Sequence, residues 1–159
     1  MKENRHSIHP AASCDVGALY ELIQELAAYE GLSDSVSARE VDIRDALFGP
    51  SPVIGALIAW DETEAVGFAT YYMTYSTFRG KPGLYVEDLF VRVSARGHGI
   101  GRALMAHLAG VAKQRGCHRM TWAVLDWNEP AINFYTSLGA ERVVDWLPFS
   151  LAGEALTRL

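Results

Sequence analysis

Three glycines alternate in the run Arg96-Gly97-His98-Gly99-Ile100-Gly101, at the point where an apolar β-type segment gives way to an amphipathic helical one. Such a junction lets the backbone aim its N–H groups at one spot, because no Cβ obstructs the turn. The unpaired amides of the next helix's first turn add partial positive charge there. Together they form a seat for a phosphate or pyrophosphate. Arg96 and Arg102 stand at its rim. A lone glycine turn binds nothing more often than not; three alternating glycines between two arginines favour a ligand. Two nucleotide readings fail. A P-loop needs a lysine and then Ser or Thr after its second glycine, and no lysine follows here. A dinucleotide fingerprint places its third glycine at the sixth position, which is Arg102, and needs an acid near the end of the next strand, where Thr121 and Trp122 stand.

Elsewhere the spacing predicts the remaining elements. Residues 5-9 suit a short strand. From Val16 to Ala28 the apolar residues Val16, Leu19, Tyr20, Leu22, Ile23 and Leu26 repeat at helical intervals, with Asp15 as the N-cap. A second helix is expected over Ala38 to Leu47, opened by a Ser37/Glu40 capping box and stopped by Gly49-Pro50. Strands are expected over Val53 to Trp60, Val66 to Thr77 and Leu84 to Val93, with turns at Asp61 to Glu64 and at Lys81-Pro82-Gly83. The helix after the glycine bend should run from Ile100 to Arg115. Its apolar face is Ile100, Leu104, Met105, Leu108, Val111 and Ala112, and Gly116 ends it. A strand over His118 to Leu125, a short helix from Glu129 to Leu138 entered through Asn128, and a last strand over 141-150 complete the chain. The fold class expected is α/β (α+β): one mixed sheet covered by helices, with an antiparallel first half and a parallel crossover in the second.

The chain's 159 residues suit a single domain. Half of them are hydrophobic, enough for an ordinary core. No long uncharged apolar run predicts a membrane span, and Met1 to Ser13 lacks a signal-peptide core. A cytoplasmic location is the expectation. With a net charge of −5 and no basic run, a nucleic-acid surface is not expected. Cys14 and Cys117 lack metal or redox spacing and read as reduced thiols. His6, His9 and the other histidines have no ligand-spaced companions, so no metal site is expected.

Leu84-Tyr85-Val86-Glu87-Asp88-Leu89-Phe90-Val91 precedes the bend, and Asp126-Trp127-Asn128-Glu129-Pro130-Ala131-Ile132-Asn133-Phe134-Tyr135 follows it. Farther out lie Glu25-Leu26-Ala27-Ala28-Tyr29-Glu30 and Gly67-Phe68-Ala69-Thr70-Tyr71-Tyr72. With these companions the glycine run resembles the Arg/Gln-x-x-Gly-x-Gly/Ala signature of the GNAT N-acetyltransferases. The set is similar to the diamine (spermidine/spermine) acetyltransferase subfamily from about residue 7 to residue 147. That resemblance implies a sheet with splayed central strands and helices on both faces, and acetyl-CoA as co-substrate. It also implies a homodimer.

The resemblance also implies roles. Leu89, Phe90 and Val91 would hold the pantetheine arm through their backbone. Arg96, Gly97, His98, Gly99, Ile100, Gly101 and Arg102 would hold the pyrophosphate. Asn128, Pro130 and Ala131 would line the far side of the cofactor. Glu87 matches the base position, and Asp88 would keep charge beside it. Strand alternation alone would put these two carboxylates on opposite faces. Tyr135 matches the acid that protonates the departing thiolate. Tyr29, Glu30, Trp122 and, less directly, Asp145 match substrate-contacting positions. So do Ser76 and Phe78, where polyamine-acetylating relatives carry aspartate and tryptophan. Serine there, together with Ala123-Val124-Leu125-Asp126-Trp127-Asn128, resembles the thialysine N-epsilon-acetyltransferase branch and points to a small lysine-like amine. A silent acyl-CoA-binding module would lose Glu87 and Tyr135, and both are present. An enzyme acting on protein N-termini or lysines would need an open peptide groove.

Overall fold

The computed structural model describes residues 6–159 and divides into two compact units, the first ending at Ala123 and the second spanning Val124–Leu159. The first holds a five-stranded sheet in the order β1-β2-β3-β4-β5: β1 His6–Pro10, β2 Gly55–Asp61, β3 Glu64–Ser76, β4 Lys81–Val91 and β5 Met120–Thr121. The first four are antiparallel neighbours, and β5 runs parallel to β4. Three helices belong to this unit: α1 Val16–Tyr29, α2 Glu40–Phe48 and α3 Ile100–Gln114. A mixed sheet covered by helices is the class the spacing predicted, and helices on both faces is what the resemblance implied; residue 5 of the expected first strand lies outside the described residues.

Each face of the sheet is covered for a reason written in its residues. Leu19 and Leu22 of α1 and Leu47 of α2 bury against Ala56, Ile58, Phe68 and Phe90. These sheet residues are spaced by two along their strands, so they share a face. The opposite face offers Leu57, Ala59, Ala69, Leu84 and Val86, and α3 lies along the sheet with Ile100, Leu104, Met105, Leu108 and Ala112 buried. Phe68 is fully buried at the centre of the first cluster. Phe68→Ala is expected to cost about 3–5 kcal/mol through lost burial and an unfilled cavity, measured by urea unfolding.

Several boundaries differ from expectation. Helix α2 does not use a Ser37/Glu40 box: its N-cap is Arg39, whose N–H donates to Asp42 Oδ2 at 2.8 Å. Asp15 is the N-cap of α1, as expected, but its carboxylate turns back to accept from the Ala12 N–H in the 3-10 turn Ser13–Asp15 and makes no capping bond to the helix. Lys81-Pro82-Gly83 is not a turn. Those residues begin β4, paired with Ser76, Tyr75 and Thr74, and the turn falls on Thr77–Gly80, where Gly80 takes a positive φ. Strand β5 is two residues long, not eight.

In the second unit, α4 (Glu129–Ser137) is capped by Asn128, whose Oδ1 accepts from the Ala131 N–H. Residues 141-150 form no strand, and Val143, Val144, Trp146, Leu147 and Phe149 are exposed there. A strand needs a partner as well as β-propensity, and within this unit there is none. A short helix not expected from sequence, α5 (Gly153–Thr157), follows.

Candidate functional site

Two departures from regularity shape β4. Its parallel pairing with β5 stops after Leu84↔Met120 and Tyr85↔Thr121, so residues 86-91 have no strand neighbour on that side among the described residues. This is the splay the resemblance implied. The Arg92 N–H donates to Val66 O on the β3 side. By alternation Phe90 faces β3 too, while Leu89 and Val91 turn their N–H and C=O groups to the open edge. Phe90 is expected to serve a ligand through its backbone, but its polar groups point the other way and its ring is buried near Phe68. The Val91 carbonyl already accepts from Arg96 Nε at 2.9 Å.

The second departure is a β-bulge. Tyr71 pairs with Val86 and Thr70 with Asp88, leaving Glu87 as the extra residue. A bulge interrupts side-chain alternation. Glu87 and Asp88 therefore share the α1 side of the sheet, and the expectation of opposite faces is corrected. Asp88 accepts from Thr70 Oγ1 at 2.5 Å. Glu30, the C-cap of α1, comes close enough to feel the charge of Asp88. All three carboxyls are held above their usual range. Burial is the larger cause for Glu30 and Glu87, and the Asp88 charge is the second. For Asp88 burial raises the value against the Thr70 hydrogen bond. Crowded carboxyls of this kind favour binding a cation.

Tyr72 and Tyr85 stand beside them, register partners whose rings stack 5.0 Å apart. Burial and then the Glu87 charge keep both phenols protonated to higher pH. No role was assigned to Thr70, Tyr72 or Tyr85 from sequence. Their shared face with Asp88 was the available signal, hidden by the unseen bulge.

The glycine bend takes the geometry expected of it. Gly97 and Gly99 have φ of 81° and 80°, and Gly99 is the N-cap of α3. A Cβ at either would meet nothing within 4 Å, so the space before the helix's free amides is open. Acetyl-CoA's diphosphate fits this cradle chemically: anion, oriented amides, helix N-terminus. The His98 ring lies 3.3 Å from Ala95 O, and Ile100 is buried in the core. Arg96 departs from its expected place at the rim. Its guanidinium lies 4.5 Å from the centroid of the Tyr29 ring. Gly99→Ala is expected to lower stability by about 1–2 kcal/mol, because alanine resists the left-handed region. The same change should raise the acetyl-CoA Kd roughly tenfold, the worth of one charge-assisted hydrogen bond. Thermal unfolding and calorimetric titration check the two parts.

The remaining candidates scatter. Ser76 ends β3 and its Oγ accepts from the Arg79 N–H at 3.3 Å, while Phe78 is wholly exposed at the hairpin tip. Six strand positions, about 20 Å, separate Lys81 at that tip from Glu87. Trp122 follows β5 and is half-buried. In the second unit Asn128 is buried, Pro130 and Ala131 form the first turn of α4, and Asp145 is exposed in irregular chain. Tyr135 lies half-buried on α4, its ring 5.2 Å from Phe134. Among the described residues no group of three or more His, Cys, Asp or Glu could hold a metal, and no helix is long and apolar enough to cross a membrane.

A sheet that opens beside an amide-lined glycine bend at a helix N-terminus, next to desolvated carboxyls, defines an acyl-CoA-dependent acyltransferase. The chain belongs to the acetyltransferase (GNAT) family, whose family model matches residues 18–140, and it is an acetyl-CoA-dependent N-acetyltransferase. It is 38% identical to a thialysine N-epsilon-acetyltransferase of Bos taurus, over 96% of this chain and 95% of that one. It is 36% identical to the spermidine/spermine N(1)-acetyltransferase-like protein 1 of Homo sapiens, over 84% of this chain and 20% of that protein. Among solved structures, an integron cassette protein from the mobile metagenome of V. cholerae superposes with a TM-score of 0.82 at 30% identity, covering 97% of this chain and 96% of that one.

Proposed function

We propose that the enzyme acetylates the primary amine of a small, lysine-like amino acid such as thialysine, or of a short diamine, by direct attack in a ternary complex. The observation that carries this is the array Glu30, Glu87 and Asp88, three carboxyls on one face with raised proton affinity. A cationic amine relieves their repulsion, and an anionic or neutral substrate does not. The similarity to thialysine acetyltransferases supports the lysine-like choice.

In this reading Glu87 takes the proton from the bound ammonium, directly or through a water. An alkylamine with a pKa near about 10.4 is otherwise protonated at neutral pH and cannot attack. Asp88 and Glu30 hold the positive charge while it lasts, and Tyr29 lines the amine's approach. The freed amine adds to the thioester carbonyl, whose oxygen the Leu89 N–H at the open edge is suited to receive. Collapse breaks the C–S bond. Tyr135 gives its proton to the thiolate, the surplus proton on the attacking nitrogen returns to the phenolate, and the neutral amide leaves with coenzyme A. The glycine bend holds the diphosphate, with Asn128, Pro130 and Ala131 as further cofactor contacts.

The whole chain reads as one acetyltransferase domain, a reading supported by the family match, which runs through the first unit and into the second as far as residue 140. The exposed apolar run of Val143, Val144, Trp146, Leu147 and Phe149 supports a homodimer that covers it. Light scattering would give twice the chain mass, and a monomeric mass rejects the dimer. No metal or nucleic acid enters this scheme, and we place the enzyme in the cytoplasm. Thiol release measured with thialysine, lysine, ornithine, short diamines, spermidine and aminoglycosides tests the substrate class. The expected order puts thialysine or a short diamine highest in kcat/KM; spermidine or an aminoglycoside at the top rejects it.

A further inference from the structure

Two arginines bracket the short turn between β4 and the glycine bend, and both reach back to the same face of α1. Arg92 donates to the Glu25 carboxylate through Nε and Nη2, at 3.0 and 2.7 Å, and through Nη1 to Glu64 of β3 at 2.6 Å. Arg96 covers the Tyr29 ring at 4.5 Å and lies 5.9 Å from the Phe90 centroid. Glu25 and Tyr29 are four residues apart on the helix, as Arg92 and Arg96 are on the turn. The two contacts therefore stack as successive rungs on one helix face. Between helix and turn lies an open cleft of about 420 Å³ lined by Ala28, Val93 and Ser94 among others. These rungs tie the end of α1 to the turn that leads into the glycine bend.

We infer that Arg92 and Arg96 form a two-rung clamp by which occupation of the glycine bend fixes the last turn of α1, and with it Tyr29 and Glu30 of the amine site. Arg96 is in this account a positioning residue and not a phosphate ligand: its Nε is committed to Val91 O and its planar face to Tyr29. The inference rests on coenzyme A binding at the bend, as proposed above. Its thermodynamic content is a coupling free energy. Coenzyme A immobilises residues 96-101, the clamp passes that order to residues 26-30, and an amine then binds a site already arranged.

Hydrogen exchange reads the coupling without any amine, with coenzyme A as the probe and its occupancy confirmed by calorimetry in each protein. In the wild type, saturating coenzyme A should slow exchange at the last-turn amides of α1 by about fivefold or more. Arg96→Met should bind coenzyme A with a Kd within about threefold of wild type, yet lose that slowing. Tyr29→Leu should lose it too, Tyr29→Phe should keep it because the ring remains, and Arg96→Lys should keep part. The double variant Arg96→Met/Tyr29→Leu should be no worse than either single one, since both remove the same rung. Coenzyme A bound by the wild type with no slowing in α1 overturns the clamp alone. So does undiminished slowing in Arg96→Met, or an affinity for coenzyme A that collapses in that variant while the slowing at full occupancy persists. No binding of coenzyme A by the wild type overturns the functional reading and the clamp with it.

Discussion

Glu87→Gln is expected to lower kcat for amine acetylation at neutral pH by a factor of about 10² to 10⁴, the usual worth of a positioned general base. Glutamine keeps the size and polarity of the side chain at the bulge but cannot accept the proton. The pH dependence carries the sharper test. Burial first, and the neighbouring Asp88 charge second, hold the Glu87 carboxyl above the ordinary carboxylate range. A base must be ionised to work, so activity is present above its pKa and fades as pH falls through it. The acid limb of kcat/KM in the wild type should therefore lie higher than an unperturbed carboxylate would give. In Glu87→Gln that limb should vanish, and the remaining rate should climb toward the pKa of the free amine, near about 10. An amine of lower pKa, less protonated at the start, should lose less. A glutamine variant within about threefold of wild type at pH 7, with the acid limb intact, removes Glu87 from proton transfer. Asp88→Asn is the contrasting variant: Asp88 is held by Thr70 and faces Glu30, so its loss should fall mainly on KM for the amine.

Why Glu87 suits this task was only half legible in the chain. The acidic pair within an apolar strand stood out, because carboxylates there are costly unless they serve something. Their placement on one face did not. A bulge belongs to the register between two strands, and no pattern within Leu84 to Val91 reveals that Thr70 and Tyr71 skip a residue opposite. The glycine bend was readable to the residue because its cause is local: Gly97 and Gly99 adopt the positive φ that other residues avoid. The apolar periodicity of α1 and α3 was readable for the same reason. Long-range pairing was not. Arg96 looked like a rim charge from its position beside Gly97, yet it lies on Tyr29, 67 residues earlier. The segment 141-150 has the β-branched and aromatic residues of a strand and no neighbour in its own unit to pair with. Strand β5 ends early for the opposite reason: its residues are suitable, but β4 diverges from them.

The second large effect falls on the other proton. Tyr135→Phe is expected to lower kcat by about 10²-fold or more while leaving the Kd for acetyl-CoA within about twofold. Phenylalanine preserves the ring that lies against Phe134 at 5.2 Å and the packing of α4, whose Asn128 cap is untouched. Only the hydroxyl is lost, and thermal unfolding of the variant beside the wild type separates a change in chemistry from a change in folding. A phenol is ordinarily protonated at neutral pH and is available as a donor when the C–S bond breaks. The size of the defect should depend on the leaving group. With acetyl thioesters of more acidic thiols, whose thiolates depart without help, the variant should approach the wild type. With acetyl-CoA it should stay slow at every pH where the amine is deprotonated, because the proposed mechanism gives Glu87 a different proton. The variants should therefore differ in kind: raising the pH restores Glu87→Gln, and changing the thiol restores Tyr135→Phe. A defect in Tyr135→Phe indifferent to the thiol would make the residue a packing element of α4, and an unchanged kcat would leave the thiolate to be protonated by water.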